Sequence, residues 1–330
     1  MASKLTLKQA CEGMIHYKTA AGKSPHTILD YRNTFKKLLL YFPKNPPLAS
    51  LTRADLIAFF AWLQEGFEAE PDGAAPRGKF RLSAKSVLNM HTNLSALWTW
   101  AVNEGLVEKN IIRTIDPPPV AEPNMVPFTK DDVASLLKAC DVSRTWKTRV
   151  GKTSTRPNAN RDRAIFLTLL DTGMRSGELC GIRFADINFT NNSIEVSGKG
   201  PRGGKKRTVY FGKRVAQALW RYLQPRLETM RPDDRVFTLV KGVYENNMTR
   251  DRLLKIVKRI GDQAGVADVH PHRFRHTFAI NYLRNGGDLF TLQTLLGHED
   301  LTMVKRYARI AQHDCEVTHR KASPVDNWKL

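Results

Sequence analysis

The sequence predicts a mainly α, two-domain protein: a helical N-terminal domain, then an α+β domain with a small β-sheet or hairpin. Three observations carry this. A chain of 330 residues is long for one core and comfortable for two. Its first third places apolar residues at three- and four-residue intervals, the period of amphipathic helices. A proline-rich run, TIDPPPVAEPN, then interrupts any helix and gives an extended, semi-rigid connector.

Helices are expected over residues 6–20, 26–42, 52–66 and 83–105. In the last, Val87, Met90, Leu94, Leu97 and Trp98 form one stripe and Ser83 is placed to cap the start. The boundaries follow: a helical domain over 1–113, a linker over 114–125 and a second domain over 126–330. That second domain opens with a capped helix near Thr129. A polar stretch over residues 143–161, too basic and Gly/Pro-punctuated for a core, is expected as a surface loop. A helix over 161–171 is stopped by Gly173, and a further helix is capped by Ser176. Alternating runs at 193–197 and 207–211, joined by GKGPRGGKK, predict a β-hairpin with a long tip. The rest reads as mostly helical to about residue 312, and no internal repeat stands out.

Charge points to the partner. Lys and Arg number 52 against 32 Asp and Glu, a net +20 with a sequence pI near 10.0. Residues 1–125 hold 15 basic and 11 acidic groups and the remainder 37 and 21, so most of the excess lies in the second domain. An imbalance of this size implies a polyanion, with nucleic acid the default. No basic helix with a strong apolar face offers itself to an anionic membrane. Cys11, Cys140, Cys180 and Cys315 lack the spacing of a zinc site or a disulfide framework. The N-terminus lacks the apolar run of a signal peptide, and no segment approaches the ~18 apolar residues of a membrane span. The expected location is the cytoplasm, associated with the nucleoid.

Chemistry concentrates late in the chain. Arg175 stands between a helix terminator and the next helix start, where a guanidinium can clasp phosphate oxygens; a surface pair with Glu178 is the alternative. His272, Arg275 and His276 share one helix face, with Phe274, Phe278 and Ile280 mostly elsewhere, so packing can hold the polar edge toward DNA. Leu296-Gly297-His298 follows, and Tyr307 lies nine residues beyond His298. A metal site at His298-Glu299-Asp300 is not expected, because three consecutive residues converge poorly on one ion. Lys147, Arg149, Lys152, Arg156, Arg161, Arg202, Lys205, Lys206 and Arg207 are expected to neutralise DNA phosphates. Tyr210, Tyr222, Tyr244 and Tyr282 read as packing.

In these residues the chain resembles the tyrosine recombinase (phage integrase) family. That family carries an arginine in T-G-x-R-x-x-E-L, a hairpin lysine, H-x-x-R-H, L-G-H and a final tyrosine. Here they stand as Thr172 to Leu179, Lys199, His272 to His276, Leu296 to His298 and Tyr307, with the likeness spanning about residues 126–312. The N-terminal region looks like the family's helical, SAM-like core-binding domain. The resemblance implies a site-specific recombinase or integrase that cleaves and rejoins duplex DNA through a 3′-phosphotyrosyl link, with no cofactor, metal or ATP. It implies Tyr307 as nucleophile, Arg175 and Arg275 as phosphate clamp, His272 as proton acceptor, His298 as donor to a phosphate oxygen and Lys199 as general acid. Lys205 and Lys206 are alternatives for that acid, and Glu178 and His276 are supporting residues. It also implies a homotetramer on two paired sites, with accessory DNA-bending or directionality proteins. The tail, residues 313–330, is expected to dock on a neighbouring protomer. A type IB topoisomerase-like relaxing enzyme and a DNA-binding regulator with an inactive recombinase domain are the alternatives.

Overall fold

The computed structural model describes residues 5–67, 81–121, 125–141, 158–198, 205–241, 244–297, 302–311, 319 and 323–328. It divides into two compact units, residues 1–123 and 124–330.

The first unit is built on four helices, α1 (Leu7–Ala20), α2 (Pro25–Tyr41), α3 (Arg53–Glu65) and α4 (Ala84–Asn103). Each has a hydroxyl at its N-cap: Thr6, Ser24, Thr52 and Ser83 accept backbone N–H groups the helix cannot satisfy itself. Their apolar stripes meet in one core around Leu7, Met14, Leu38, Phe59, Leu94 and Trp98. The chain after α4 is stitched to this core. Asn110 donates to Ser95 and Thr99, His91 bonds the Ile115 carbonyl at 2.8 Å, and Ile112 and Ile115 are buried. Thr114 and Ile115, expected in the linker, therefore pack with this unit.

The second unit combines helices with two small antiparallel sheets. It begins with α5 (Lys130–Asp141), where Thr129 and Asp132 cap each other. Next come α6 (Ala159–Thr172) and the short α7 (Ser176–Gly181). The hairpin strands β2 (Ser193–Ser197) and β3 (Lys206–Tyr210) pair in register Val196 with Arg207, and a two-residue strand β1 (Ile187–Asn188) extends the sheet. After α8 (Lys213–Leu223), β4 (Thr238–Lys241) and β5 (Tyr244–Asn247) form a second hairpin where mostly helix was expected. Four-residue strands carry too little alternation to register as a period. Then follow α9 (Arg250–Ala264), α10 (Pro271–Arg284), α11 (Leu289–Leu296), α12 (Thr302–Ala311) and α13 (Pro324–Trp328). No helix among the described residues is long and apolar enough to cross a membrane.

Helix α10 separates two cores. Phe274 enters the larger one, against Phe128 and Phe166, whereas Ala279, Ile280 and Leu283 face a smaller one with Leu292, Leu296, Val304 and Tyr307. Gly173 ends α6 in the left-handed region at φ 59°, and a Cβ there would run into the Phe278 ring. Both conditions require glycine, and they bring the α6 C-terminus against α10.

Candidate active site

Three arginines from three elements converge on one short segment. Arg207 Nε of β3 donates to the Leu295 carbonyl at 2.7 Å, Arg275 Nη2 of α10 to Leu296 at 2.8 Å, and Arg175 Nη2, at the start of α7, to Gly297 at 3.2 Å. Those carbonyls end α11, where the last C=O groups lack helical partners and the helix dipole is negative. Gly297 turns the chain at φ 63° immediately before His298.

Glu178 ties the arginines together. Arg207 grips its carboxylate with both terminal nitrogens, at 2.8 and 2.9 Å; Arg175 adds Nη1 at 3.0 Å and its own backbone N–H at 2.7 Å. Burial pushes this carboxyl up, but the Arg207 hydrogen bonds, the Arg175 N–H and both positive charges outweigh it and hold the pKa below the usual range. Arg175 pairs with Glu178, as the alternative reading expects, and keeps 28% of its side chain exposed. Arg175, rather than Ser176, is the N-cap of α7, and the Glu178 carboxylate takes the cap N–H.

Arg275 is only 2% exposed, so the expected outward polar edge turns inward. Its guanidinium is held by the carbonyls of Gly173 and Leu296, both at 2.8 Å, which replace water. Burial first, then the positive charge of Arg175, lowers it to about 10, which leaves it charged at neutral pH. Three guanidiniums against one carboxylate, which bonds Arg207 and Arg175, leave two positive charges in excess.

Tyr307 completes the cluster. Its ring is 1% exposed, packed among Leu292, Leu296 and Val304. Its hydroxyl lies 2.9 Å from His276 Nδ1 and accepts a hydrogen bond from Arg275. Burial raises the phenol above its ordinary value, against the opposing pull of Arg275 and Arg175, so it stays protonated near neutrality. His276, not His272, is the imidazole on the phenol. His272 stands one helical turn away, exposed, with its ring stacked on His276 at 5.9 Å between centroids. The i,i+4 spacing puts both on one face, and only the placement of α12 decides which one the tyrosine meets.

Burial, then the neighbouring His272, His270 and Arg275, depresses His276 to about 4 from 6.5. It is neutral at physiological pH and can accept the phenol proton through Nδ1. Between those two values the unfolded chain binds a proton here that the folded chain does not, so stability falls as pH drops from 6.5 toward about 4. His276→Gln is expected to flatten that part of a melting-temperature profile relative to the native chain. An unchanged acid slope would contradict a buried neutral His276.

Two cations expected on DNA are instead engaged inside the protein. Arg207 has its guanidinium nitrogens on Glu178 and Leu295, and Arg161 is buried in a pair with Asp162 at 2.7 Å. A buried guanidinium needs partners, and these provide them. Lys205 and Lys206 are exposed, the latter paired with Glu195 at 2.6 Å. Tyr222 stacks on Phe237 and Tyr282 packs on Phe278, but Tyr210 is 61% exposed rather than packed. Lys147, Arg149, Lys152, Arg156, Lys199, Arg202 and His298 lie outside the described residues, as does most of the tail.

Known proteins share this arrangement of elements. The chain is 27% identical over 319 residues to tyrosine recombinase XerD of Listeria monocytogenes serotype 4b (strain F2365), covering 95% of this chain and 98% of that protein. It is 28% identical over 305 residues to tyrosine recombinase XerC of Corynebacterium efficiens, covering 92% and 87%. Among solved structures, the Tn1549 transposon integrase in complex with transposon right end DNA matches with a TM-score of 0.71 at 20% identity, over 97% of this chain and 100% of that one. The model of the phage integrase family matches residues 127–313, more than half of the sequence and all of the arginine–tyrosine cluster, and the chain belongs to that family.

Proposed function

We propose that this chain is a site-specific DNA recombinase that cleaves and rejoins duplex DNA through Tyr307. The observation that carries the reading is the Tyr307 hydroxyl, held between Arg275 and His276 at the edge of a cluster with two positive charges in excess. In the reaction the Tyr307 oxygen bonds to phosphorus, the phosphorus–5′-oxygen bond breaks, and a 3′-phosphotyrosyl link and a 5′-hydroxyl result. The link conserves the energy of the phosphodiester, so rejoining is the same step reversed. A pentavalent phosphorane gains negative charge over the diester, and fixed guanidiniums stabilise it without reorganising. Arg175 and Arg275 are assigned this role.

His276 receives the hydrogen bond of the attacking phenol. Its low basicity makes proton transfer unfavourable until the oxygen–phosphorus bond is forming, which protects the tyrosine from ionising without substrate. His272, exposed beside it, is assigned to the phosphate and to tuning His276. Lys199 is assigned as acid for the 5′-oxygen and His298 as donor to a phosphate oxygen, both from their positions in the family motif. Exposed Lys205 and Lys206, with Lys147, Arg149, Lys152 and Arg202, are assigned to the DNA backbone.

The N-terminal helical unit, residues 1–123, is assigned to the same duplex as the family's core-binding domain. A homotetramer on two paired sites, residues 313–330 docking on a neighbour, and accessory DNA-bending or directionality proteins complete the proposal. The relatives named tyrosine recombinases support it, over nearly their whole length. The test is to supply supercoiled plasmids with one or two copies of the target site. Exchange between paired sites is the expected result. Relaxation without exchange would indicate a topoisomerase-like enzyme, and binding with neither activity a regulator.

A further inference from the structure

Arg207 is the member of the arginine cluster not assigned to the scissile phosphate, and its guanidinium is engaged within the protein. It lies on the same face of β3 as buried Val209, and 10% of its side chain is exposed. Its planar fork fits both oxygens of Glu178 while Nε reaches Leu295 across to α11. Its guanidinium also lies over Gly297, where a Cβ would approach to 3.0 Å from Nη1 and 3.2 Å from Cζ. One side chain thus joins the sheet, the α7 carboxylate and the turn that precedes His298.

We propose that Arg207 is a positioning residue for strand cleavage, which acts by fixing Glu178 so that Arg175 is aimed at the scissile phosphate. The two arginines compete for one carboxylate. Glu178 offers two oxygens, and Arg207 spans both in side-by-side geometry, leaving the Arg175 guanidinium one nitrogen on the carboxylate, beside the backbone N–H, and a reach to the Gly297 carbonyl. Without Arg207 the carboxylate is open to a two-pronged grip by Arg175, which withdraws that guanidinium from the substrate. Lysine cannot substitute, because one ammonium does not span two carboxylate oxygens and the Leu295 carbonyl.

This inference rests on the assignment of Tyr307 and Arg175 above, and its test separates the two. Arg207→Lys and native protein are compared for single-turnover formation of the covalent adduct on two suicide substrates. One has an ordinary scissile phosphate; the other has a methylphosphonate, whose neutral linkage needs less from an arginine clamp. The variant is expected to bind DNA with native affinity and salt dependence, and to form adduct about 10²-fold more slowly on the phosphate. On the methylphosphonate the gap between variant and native protein is expected to narrow by about tenfold or more. An equal defect on both substrates, or a variant that does not fold, would make Arg207 a core ion pair and overturn the proposal. Weaker binding with a shallower salt dependence would make it a phosphate contact and overturn it too. Failure of native protein to form adduct on either substrate would instead sink the reading of Tyr307.

Discussion

Tyr307→Phe is expected to leave a folded, DNA-binding protein that forms no covalent adduct. The Phe ring fills the same space between Leu292, Leu296 and Val304, so the small core around α10, α11 and α12 stays packed. What is lost is the oxygen that Arg275 and His276 hold. Removing a nucleophile costs at least about 10⁴-fold where no neighbouring group replaces it. The check is denaturing electrophoresis of protein with a nicked suicide substrate, beside a binding titration and a melting curve. A persisting adduct would point to another tyrosine, with exposed Tyr210 the first to replace.

The clamp arginines come second in size, and their surroundings separate them. Arg175→Ala is expected to slow adduct formation by about 10² to 10³, the usual cost of one donor to a transition-state oxyanion. Its partly exposed side chain leaves the fold little changed. Arg275→Ala is expected to show a similar loss together with a clear fall in melting temperature. It strips partners from the carbonyls of Gly173 and Leu296, and each buried orphan costs about 1–3 kcal/mol. Measured together, rate and melting temperature give distinct outcomes for the two variants. Equal melting losses would mean that the difference in their burial has no energetic consequence, and an unimpaired rate in either would remove it from the clamp.

Much of this is legible in the sequence. Regular features announce themselves: the hydroxyl cap at Ser83, the Val87 to Trp98 stripe, and Gly173 as a stop. Arg175, Arg275 and Tyr307 were legible as types in a fixed order. The partners of those groups were not. His272 and His276 share a helix face, so periodicity cannot say which meets Tyr307; α12, from another part of the chain, decides it. Arg207 sits among lysines in a basic hairpin and reads as surface charge, although its alternation with Val209 points it inward. Its counterion, Glu178, is buried and faces more than one arginine, which only the folded chain reveals. Arg161 is hidden in the same way, since a charge run does not reveal which members carry their own counterion.

The most direct measurement is the chemical identity of the protein–DNA link. Protein trapped on a suicide substrate would be digested with protease and nuclease, and the nucleotide-bearing peptide sequenced by mass spectrometry. A nucleotide joined through its 3′-phosphate to Tyr307, with a free 5′-hydroxyl on the released strand, is the predicted result. Attachment at any other residue, or a link through a 5′-phosphate, would contradict the assignment of this arginine, histidine and tyrosine cluster as the site of strand cleavage.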